Sequence, residues 1–165
     1  MIEIRKTRPE ELGELMEIYR YARSFMAAHG NPNQWGSTNW PPESLIQNDI
    51  EQGNSYVCVA DGTIAGTFFY VQGKNVEPTY AHIEDGEWMD DSPYGVLHRI
   101  ASNGKEKGIL HAALSWARNQ CRHIRIDTYK DNTVMQRLLD KEGFHYCGTI
   151  YVQEDNEPRM AYEIL

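Results

Sequence analysis

A glycine-containing loop between a strand-like and a helix-like segment constrains the fold of this chain more than any other feature. Residues 96–101 have the composition of a strand, and the polar loop after them contains Gly104 and Gly108. The loop opens into an amphipathic segment that reaches about Gln120, and residues 123–128 then alternate strictly. A strand, a helix and a strand in this order predict a parallel pair with a right-handed crossover.

The remaining segments predict antiparallel pairing around that unit. Asp61-Gly62 has the composition of a hairpin turn between two β-rich runs. Further strands are predicted from composition and alternation, at residues 2–6, 55–60, 63–71, 144–152 and 158–164. Helices are predicted from residue 12 to near residues 29–30, at 42–52 and at 131–143, the last with Leu138 and Leu139 both facing the core. Part of 77–91 could add a strand, 31–40 is predicted to be a loop, and 154–157 a turn.

These elements predict one α/β (α+β) domain over residues 1–165. Its central sheet is mixed and mostly antiparallel, with helices on both faces.

The glycine loop has the features of a pyrophosphate site. Lys105 and Lys107 lie in it and Arg99 lies just before it, in a chain whose formal charge is −8. Backbone N–H groups at a helix start attract anions, and glycine lets a ligand approach the backbone closely. The alternatives are a solvated turn for the loop and a solvent-facing side chain for Arg99. The overall acidity argues against nucleic acid as the main partner.

The spacing of the cysteine, histidine and carboxylate residues predicts neither a metal site nor a disulfide bond. Cys58, Cys121 and Cys147 lie in apolar stretches without a CxxC pair, which is typical of buried thiols in a reducing compartment. Cys147 as a covalent nucleophile is the alternative. No His, Cys or carboxylate spacing matches a metal ligand set. No run has the length of a signal or membrane segment, so we expect a cytoplasmic protein without membrane contact.

The motifs from Val96 to Val152, and the element order over nearly the whole chain, resemble the GCN5-related N-acetyltransferase superfamily. That family has an Arg/Gln-x-x-Gly-x-Gly/Ala loop, then an Asn-headed helix and a Gly-Phe strand. In this sequence the corresponding residues are Lys105, Gly108, Leu110, Asn132 and Gly143-Phe144. The segments 30–35 (Gly-Asn-Pro-Asn-Gln-Trp) and 98–102 (His-Arg-Ile-Ala-Ser) resemble a bacterial subgroup, which implies no particular substrate.

The resemblance implies acetyl-coenzyme A as the coenzyme, held by the end of the strand, the loop and the helix start. The residues at these positions, with the helix-heading asparagine, are Arg99, Ile100, Ala101, Lys105, Lys107, Gly108, Ile109, Leu110 and Asn132. Asn132 could also cap its helix, and the two roles are compatible. Leu110 departs from the family's small residue. Leu139 stands where the family has a tyrosine that protonates the leaving thiolate.

Acyl transfer to an amine needs a base, a donor to the carbonyl oxygen and a proton for the leaving group. His98, Glu84, Asp85 or Glu87 could act as the base, and a backbone N–H of the Ile100 strand as the donor. Tyr146 or Tyr129 could be the acid. Candidates for the acceptor pocket are Trp35, Trp40, Tyr80 and Glu87. For each, the competing interpretation is ordinary packing, loop anchoring or a solvated charge.

The sequence therefore predicts an acyl-coenzyme A-dependent N-acyltransferase. It would pass acetyl to a primary amine of a small molecule or peptide by direct attack. The rivals are a non-catalytic acyl-coenzyme A sensor, favoured by Leu110 and Leu139, and a domain whose loop binds no coenzyme. The last two strands could pair with a second copy, so a homodimer is compatible with the sequence.

Overall fold

The structure, a computed structural model, describes residues 1–35, 39–152 and 156–165. Within these residues seven strands form one sheet in the order β1-β2-β3-β4-β5-β7-β6. The strands are β1 (Ile2–Lys6), β2 (Ser55–Ala60), β3 (Thr63–Gly73), β4 (Tyr94–Ser102), β5 (Ile124–Thr128), β6 (His145–Tyr151) and β7 (Pro158–Ile164). The α-helices of the same residues are α1 (Leu12–Ala28), α2 (Glu43–Glu51), α3 (Ile109–Gln120) and α4 (Thr133–Lys141).

The strand directions confirm the predicted fold class. β4 and β5 are parallel, whereas β1 with β2, β2 with β3, β5 with β7 and β6 with β7 are antiparallel. The parallel register joins only Gly95 to Ile124 and Val96 to Arg125, at the beginning of β4.

Contacts within the chain group it into two compact units. The first contains Met1–Tyr70 and His98–Trp116, and the second contains Val71–Leu97 and Ala117–Leu165. The assignment of the whole chain to one domain stays a prediction.

The core of the first unit is built from the apolar faces of α1 and α2 and from strand residues. Its buried members include Leu15, Ile18, Tyr19, Ile46, Ile50, Val57 and Ile64. The β2–β3 hairpin turns at Asp61 and Gly62, with φ of 50° and 77°. Two consecutive positive φ values are typical of a type I′ turn, which suits the twist of paired strands.

The core of the second unit is aromatic and aliphatic, and includes Tyr80, Tyr94, Val96 and Ile150. Helix α4 begins at a cap in which Asn132 Oδ1 accepts a hydrogen bond from Met135 N at 3.1 Å. It ends before Gly143, whose φ of 92° suits glycine.

Three predictions about local structure need correction or limitation. Leu139 is fully buried but Leu138 is exposed, because residue 138 lies about 100° around the helix from residue 139, at the edge of the buried face of α4. The strand considered within 77–91 is only a bridge between Glu84 and Thr149, next to a 3₁₀ turn at Pro78–Tyr80. The predicted loop at 31–40 and turn at 154–157 lie partly outside the described residues.

In the parts of the chain that the structure describes, no helix has the length and apolar character to cross a bilayer.

Candidate functional site

The loop after β4 is held in a defined conformation by its own side chains. Ser102 Oγ accepts a hydrogen bond from Gly104 N, and Asn103 Oδ1 accepts one from Lys105 N, both at 3.0 Å. Asn103 N donates to Ala65 O on β3 at 3.0 Å, which fastens the loop to the neighbouring strand. The loop is therefore a structured connection, while its residues 104–108 are exposed, as the alternative of a solvated turn also has them.

Helix α3 begins directly after Gly108, whose φ is 81°. Gly108 O accepts the first helical hydrogen bond, from Ala112 N at 2.9 Å. Ile109 and Leu110 are buried. The bulk of Leu110, which departs from the family's small residue, is thus accommodated in the core.

Gly66 on β3 allows the start of α3 to pack closely against the strand. No role was predicted for this glycine. A Cβ at Gly66 would lie 2.6 Å from Ile109 Cγ2 and 3.0 Å from Ala101 O. A glycine inside a strand pattern often marks such a close approach, and this was the available signal.

The loop residues suit a pyrophosphate group. Lys105 and Lys107 are exposed and Gly104 and Gly108 have positive φ. The side chain of Ile109 is buried. The backbone N–H groups in the first turn of α3 have no carbonyl partner within the helix, and together with the helix dipole they favour anions.

Arg99 departs from regular strand geometry and forms a buried ion pair. Its φ is 53°, a left-handed value that is unusual for a residue other than glycine. Its Nε and Nη2 donate to Asp49 Oδ2 at 3.1 and 2.8 Å, and the two side chains are only 11% and 6% exposed. The solvent-facing alternative for Arg99 is wrong. The guanidinium is directed at Asp49, a partner other than the expected phosphate.

Two aromatic residues complete this arrangement in the first unit. The Arg99 guanidinium lies 4.6 Å from the centre of the Phe69 ring, which also stacks on His98 at 5.7 Å. Tyr19 is buried, and its hydroxyl donates to Arg99 O at 3.1 Å. Burial raises the pKa of Tyr19 well above its usual value, so the hydroxyl keeps its proton.

The charge of Asp49 is unfavourable in its surroundings. Burial raises the pKa of the Asp49 carboxyl, and the positive charge of Arg99 opposes that shift, as does His98 to a smaller extent. His98, predicted as a base, is half-buried on β4 and lies close enough to Asp49 to influence the pKa of its carboxyl.

Two of the aromatic pocket candidates, Trp35 and Tyr80, lie inside the cores. Trp35 is buried and packs edge-on against Tyr19 at 5.9 Å, which matches the alternative of a loop anchored by its tryptophan. Tyr80 is 1% exposed and its hydroxyl donates to Asp127 Oδ2 at 2.6 Å. Burial favours the packing interpretation for these two rings, and their role in an acceptor pocket stays a prediction.

In the second unit the candidates Glu84, Glu87 and Tyr146 are exposed, whereas Tyr129 is buried. Glu84 lies 3.3 Å from His82 Nε2, and its hydrogen bond with Tyr151 raises the pKa of that phenol. Glu87 is exposed. Tyr146 is 53% exposed and meets the Tyr162 ring edge-on at 5.8 Å. Their catalytic or binding roles stay predictions.

A buried carboxylate cluster in the second unit was not predicted. Glu163 is fully buried and accepts hydrogen bonds from Arg125 Nε at 2.9 Å and Met89 N at 2.6 Å. His123 Nε2 lies 2.5 Å from the same carboxylate. The Arg125 guanidinium also lies 4.3 Å from the ring centre of Trp88. These contacts fasten the segment around residues 88–90 to β5 and β7.

The cysteines are free thiols, and two of them are buried. Burial raises the pKa of Cys58 to about 12 and that of Cys147 to about 11. A thiol with such a pKa is almost wholly protonated near neutral pH, which argues against Cys147 as a nucleophile. Among the described residues no group of three or more His, Cys, Asp and Glu residues could hold a metal ion.

Comparison with known proteins gives structural matches over almost the whole chain. A GNAT-family acetyltransferase from Streptococcus agalactiae has 29% identity and a TM-score of 0.88, covering 99% of this chain and 95% of the other. A GNAT-family acetyltransferase from Listeria monocytogenes has 17% identity and a TM-score of 0.69, covering 99% and 95%. A ribosomal-protein-alanine N-acetyltransferase from Brucella melitensis has 18% identity and a TM-score of 0.64, covering 99% of each.

No family model and no curated protein matches the sequence. The assignment therefore rests on the fold, on the strand–loop–helix site just described and on the 29% identical structure from Streptococcus agalactiae. Together they show that the chain belongs to the GCN5-related N-acetyltransferase superfamily.

Proposed function

We propose that this protein is an acyl-coenzyme A-dependent N-acyltransferase that passes an acetyl group to a primary amine. The observation that carries the proposal is the loop from Ser102 to Gly108. It is cationic, it is held by its own hydrogen bonds, and it opens directly into α3. A superfamily member with this loop has a built site for a pyrophosphate-containing acyl donor.

The residues that would hold acetyl-coenzyme A belong to the end of β4, the loop and the first turn of α3. Lys105 and Lys107 would pair with phosphate charge, and the backbone from Gly108 to Leu110 would donate N–H groups. Ile100 and Ala101 would contact the pantetheine arm through the main chain of β4. Asn132 already caps α4 and could in addition bind that arm. When bound, the coenzyme supplies an acyl group activated as a thioester.

The chain's own residues would then support direct attack in a ternary complex. The amine nitrogen forms a bond to the carbonyl carbon, the carbon–sulfur bond breaks, and the amine proton passes to a base. His98 on β4 is the proposed base, acting directly or through water, with Glu84 as the alternative. The backbone N–H of Ile100 would donate to the carbonyl oxygen as charge develops there.

The proton for the leaving thiolate cannot come from the family's usual tyrosine position. Leu139 occupies it and is fully buried. We propose Tyr146 as the donor because it is exposed, with water as the substitute. Leu139 is also the observation that favours the second candidate function, a sensor that binds acyl-coenzyme A without turnover.

The acceptor is proposed only as a class. The Brucella melitensis protein is named for ribosomal-protein alanine, but at 18% identity its likeness carries the fold and no substrate. The formal charge of −8 is compatible with a cationic amine acceptor, either a small molecule or a peptide. The proposal includes a cytoplasmic location, no metal requirement, and neither nucleic acid nor membrane as a partner. A homodimer stays a hypothesis.

Thermal unfolding with and without acetyl-coenzyme A tests the proposed site. Ligand at 100 times its dissociation constant should stabilise the wild type by about 2.7 kcal/mol. Lys105→Ala/Lys107→Ala should lose most of this gain. The matched control is Lys74→Ala/Lys130→Ala, which removes the same charge from exposed positions outside the loop and should keep the gain.

A coenzyme-release assay with a panel of primary amines separates enzyme from sensor. Release that depends on an amine supports the acyltransferase, whereas binding without release under any acceptor supports the sensor. If the wild type shows no stabilisation at saturating acetyl-coenzyme A, both candidate functions fail and the likeness is one of fold alone.

A further inference from the structure

Two residues outside β4 hold the peptide unit between Arg99 and Ile100. Asp49 on α2 accepts hydrogen bonds from the guanidinium of Arg99, and Tyr19 on α1 donates one to the carbonyl oxygen of Arg99. All of these residues belong to the first compact unit. Neither Asp49 nor Tyr19 was singled out by the sequence as a functional residue.

The backbone at Arg99 needs such support. A φ of 53° inside a strand is unfavourable for a residue with a Cβ, and such conformations persist only where the surroundings fix them. Asp49 Oδ2 accepts from two guanidinium nitrogens at 3.1 and 2.8 Å, and Phe69 covers the guanidinium face at 4.6 Å. The side chain of Arg99 therefore has one well-defined position, and this fixes the backbone that carries it.

The carbonyl of Arg99 and the N–H of Ile100 belong to the same planar peptide. In a trans peptide these two groups point in opposite directions, so fixing one orients the other. Tyr19 donates to the carbonyl at 3.1 Å from a buried position. A hydrogen bond accepted by the carbonyl also polarises the peptide and strengthens the N–H as a donor.

We infer that Asp49 and Tyr19 are positioning residues, which set the direction of the Ile100 N–H toward the acyl carbonyl oxygen. The inference rests on the proposed function, because it deepens the role given there to Ile100. Neither residue touches the acyl group. Asp49 acts through the guanidinium of Arg99, and Tyr19 acts through its carbonyl.

The test is the ¹³C NMR signal of acetyl-coenzyme A labelled at the acetyl carbonyl, free and bound to the protein. A hydrogen bond to the carbonyl oxygen moves the signal downfield, so the wild type should show a downfield shift on binding. Asp49→Asn should lose most of the shift while its affinity for coenzyme A itself stays near that of the wild type. Tyr19→Phe, which removes only the hydroxyl, should lose part of it.

A double variant distinguishes positioning from charge balance. Glycine adopts positive φ without strain but fixes no conformation, and Arg99→Gly removes the guanidinium that Asp49→Asn leaves without a counter-charge. The double variant Asp49→Asn/Arg99→Gly should therefore still lack most of the downfield shift, because no side chain then holds the peptide. If Asp49 served only to balance the buried guanidinium, deleting that guanidinium would restore the shift and overturn the positioning role.

Glu11→Gln is the matched control. Glu11 accepts from both terminal nitrogens of Arg5 at 3.0 and 2.8 Å, so it is a second carboxylate–guanidinium pair of the same unit. The control should keep the wild-type shift. If Asp49→Asn does not fold, Tyr19→Phe and the double variant decide the matter.

The outcomes separate this inference from the proposed function. A wild type that does not bind acetyl-coenzyme A overturns both. A wild type that binds without a downfield shift, or an Asp49→Asn variant that retains the full shift, overturns the positioning role and leaves the acyl-donor site in place.

Discussion

Each compact unit buries a carboxylate against a guanidinium, but the two pairs hold different parts of the chain. In the first unit Asp49 accepts two hydrogen bonds from Arg99, a residue whose own backbone has positive φ. In the second unit Glu163 accepts from Arg125 and from the backbone of Met89, and contacts His123. The first pair holds one peptide of a strand, whereas the second joins two strands and a loop segment.

The difference indicates where stability and function depend on buried charge. Loss of the Glu163 charge would leave the buried Arg125 and His123 without their carboxylate partner. The backbone N–H of Met89, which donates to the same carboxylate, would be affected as well. Loss of the Asp49 charge would leave only Arg99, which is still covered by Phe69 and is 11% exposed. We therefore expect Glu163 to matter more for folding and Asp49 to matter more for the site.

Glu163→Gln should have the largest effect on stability, about 4 kcal/mol, because removing one partner of a buried ion pair leaves an uncompensated charge. Urea unfolding at neutral pH measures it. Glu17→Gln is the control, because Glu17 and its partner Arg20 are mostly exposed, and it should change stability by less than about 0.5 kcal/mol. A loss below about 1 kcal/mol for Glu163→Gln would contradict the stabilising role given to this cluster.

Asp49→Asn should cost less, about 2 kcal/mol, because burial already opposes the Asp49 charge and the asparagine still accepts a hydrogen bond from the guanidinium, leaving one bond unmade. The same urea experiment gives the comparison directly. Equal losses for Asp49→Asn and Glu163→Gln would remove the distinction between the two units, and a larger loss at Asp49 would reverse it.

The two pairs also show which features a sequence can reveal. The Asp61-Gly62 turn, the Asn132 cap and the glycine that ends α4 are local signals, and the structure has all of them. Their geometry depends on residues a few positions apart, so composition and spacing are sufficient to predict them.

The buried pairs could not be predicted in the same way, because Asp49 and Arg99 are separated by 50 residues. A weak signal existed for Asp49, which lies between Ile46 and Ile50 on the buried face of α2. A carboxylate in such a stripe predicts a buried partner but does not identify it. Nothing in the sequence around Arg99 indicated its positive φ, because the residues that contact it lie on α1 and α2.

Gly66→Ala tests whether the first unit also depends on close backbone contact near the site. The new Cβ would lie 2.6 Å from Ile109 Cγ2 and 3.0 Å from Ala101 O, so overpacking should cost about 2 kcal/mol. It should also weaken stabilisation by acetyl-coenzyme A, because the start of α3 must move. Gly13→Ala is the control, since nothing lies within 4 Å of its Cβ and it is in α1. That change should stabilise by about 0.5–1 kcal/mol.

The smallest effect is the pH dependence that distinguishes Asp49 from Glu11. Burial raises the pKa of Asp49, so its contribution to stability falls as pH rises above its ordinary value of 3.8 through the raised one. The hydrogen bond from Arg5 lowers the pKa of Glu11, so its contribution is present above 4.5 and is lost as pH falls through the lowered one.

Urea unfolding of the wild type, Asp49→Asn and Glu11→Gln between about pH 4 and pH 6 separates the two signs. The advantage of the wild type over Asp49→Asn should shrink as pH rises, and its advantage over Glu11→Gln should be largest at the upper end. Two variants with the same slope would mean that the Arg99 guanidinium more than offsets the burial of Asp49 and lowers the pKa of its carboxyl. In that case the Asp49–Arg99 pair would stabilise the fold much as the Arg5–Glu11 pair does, and would itself offset the backbone strain at Arg99.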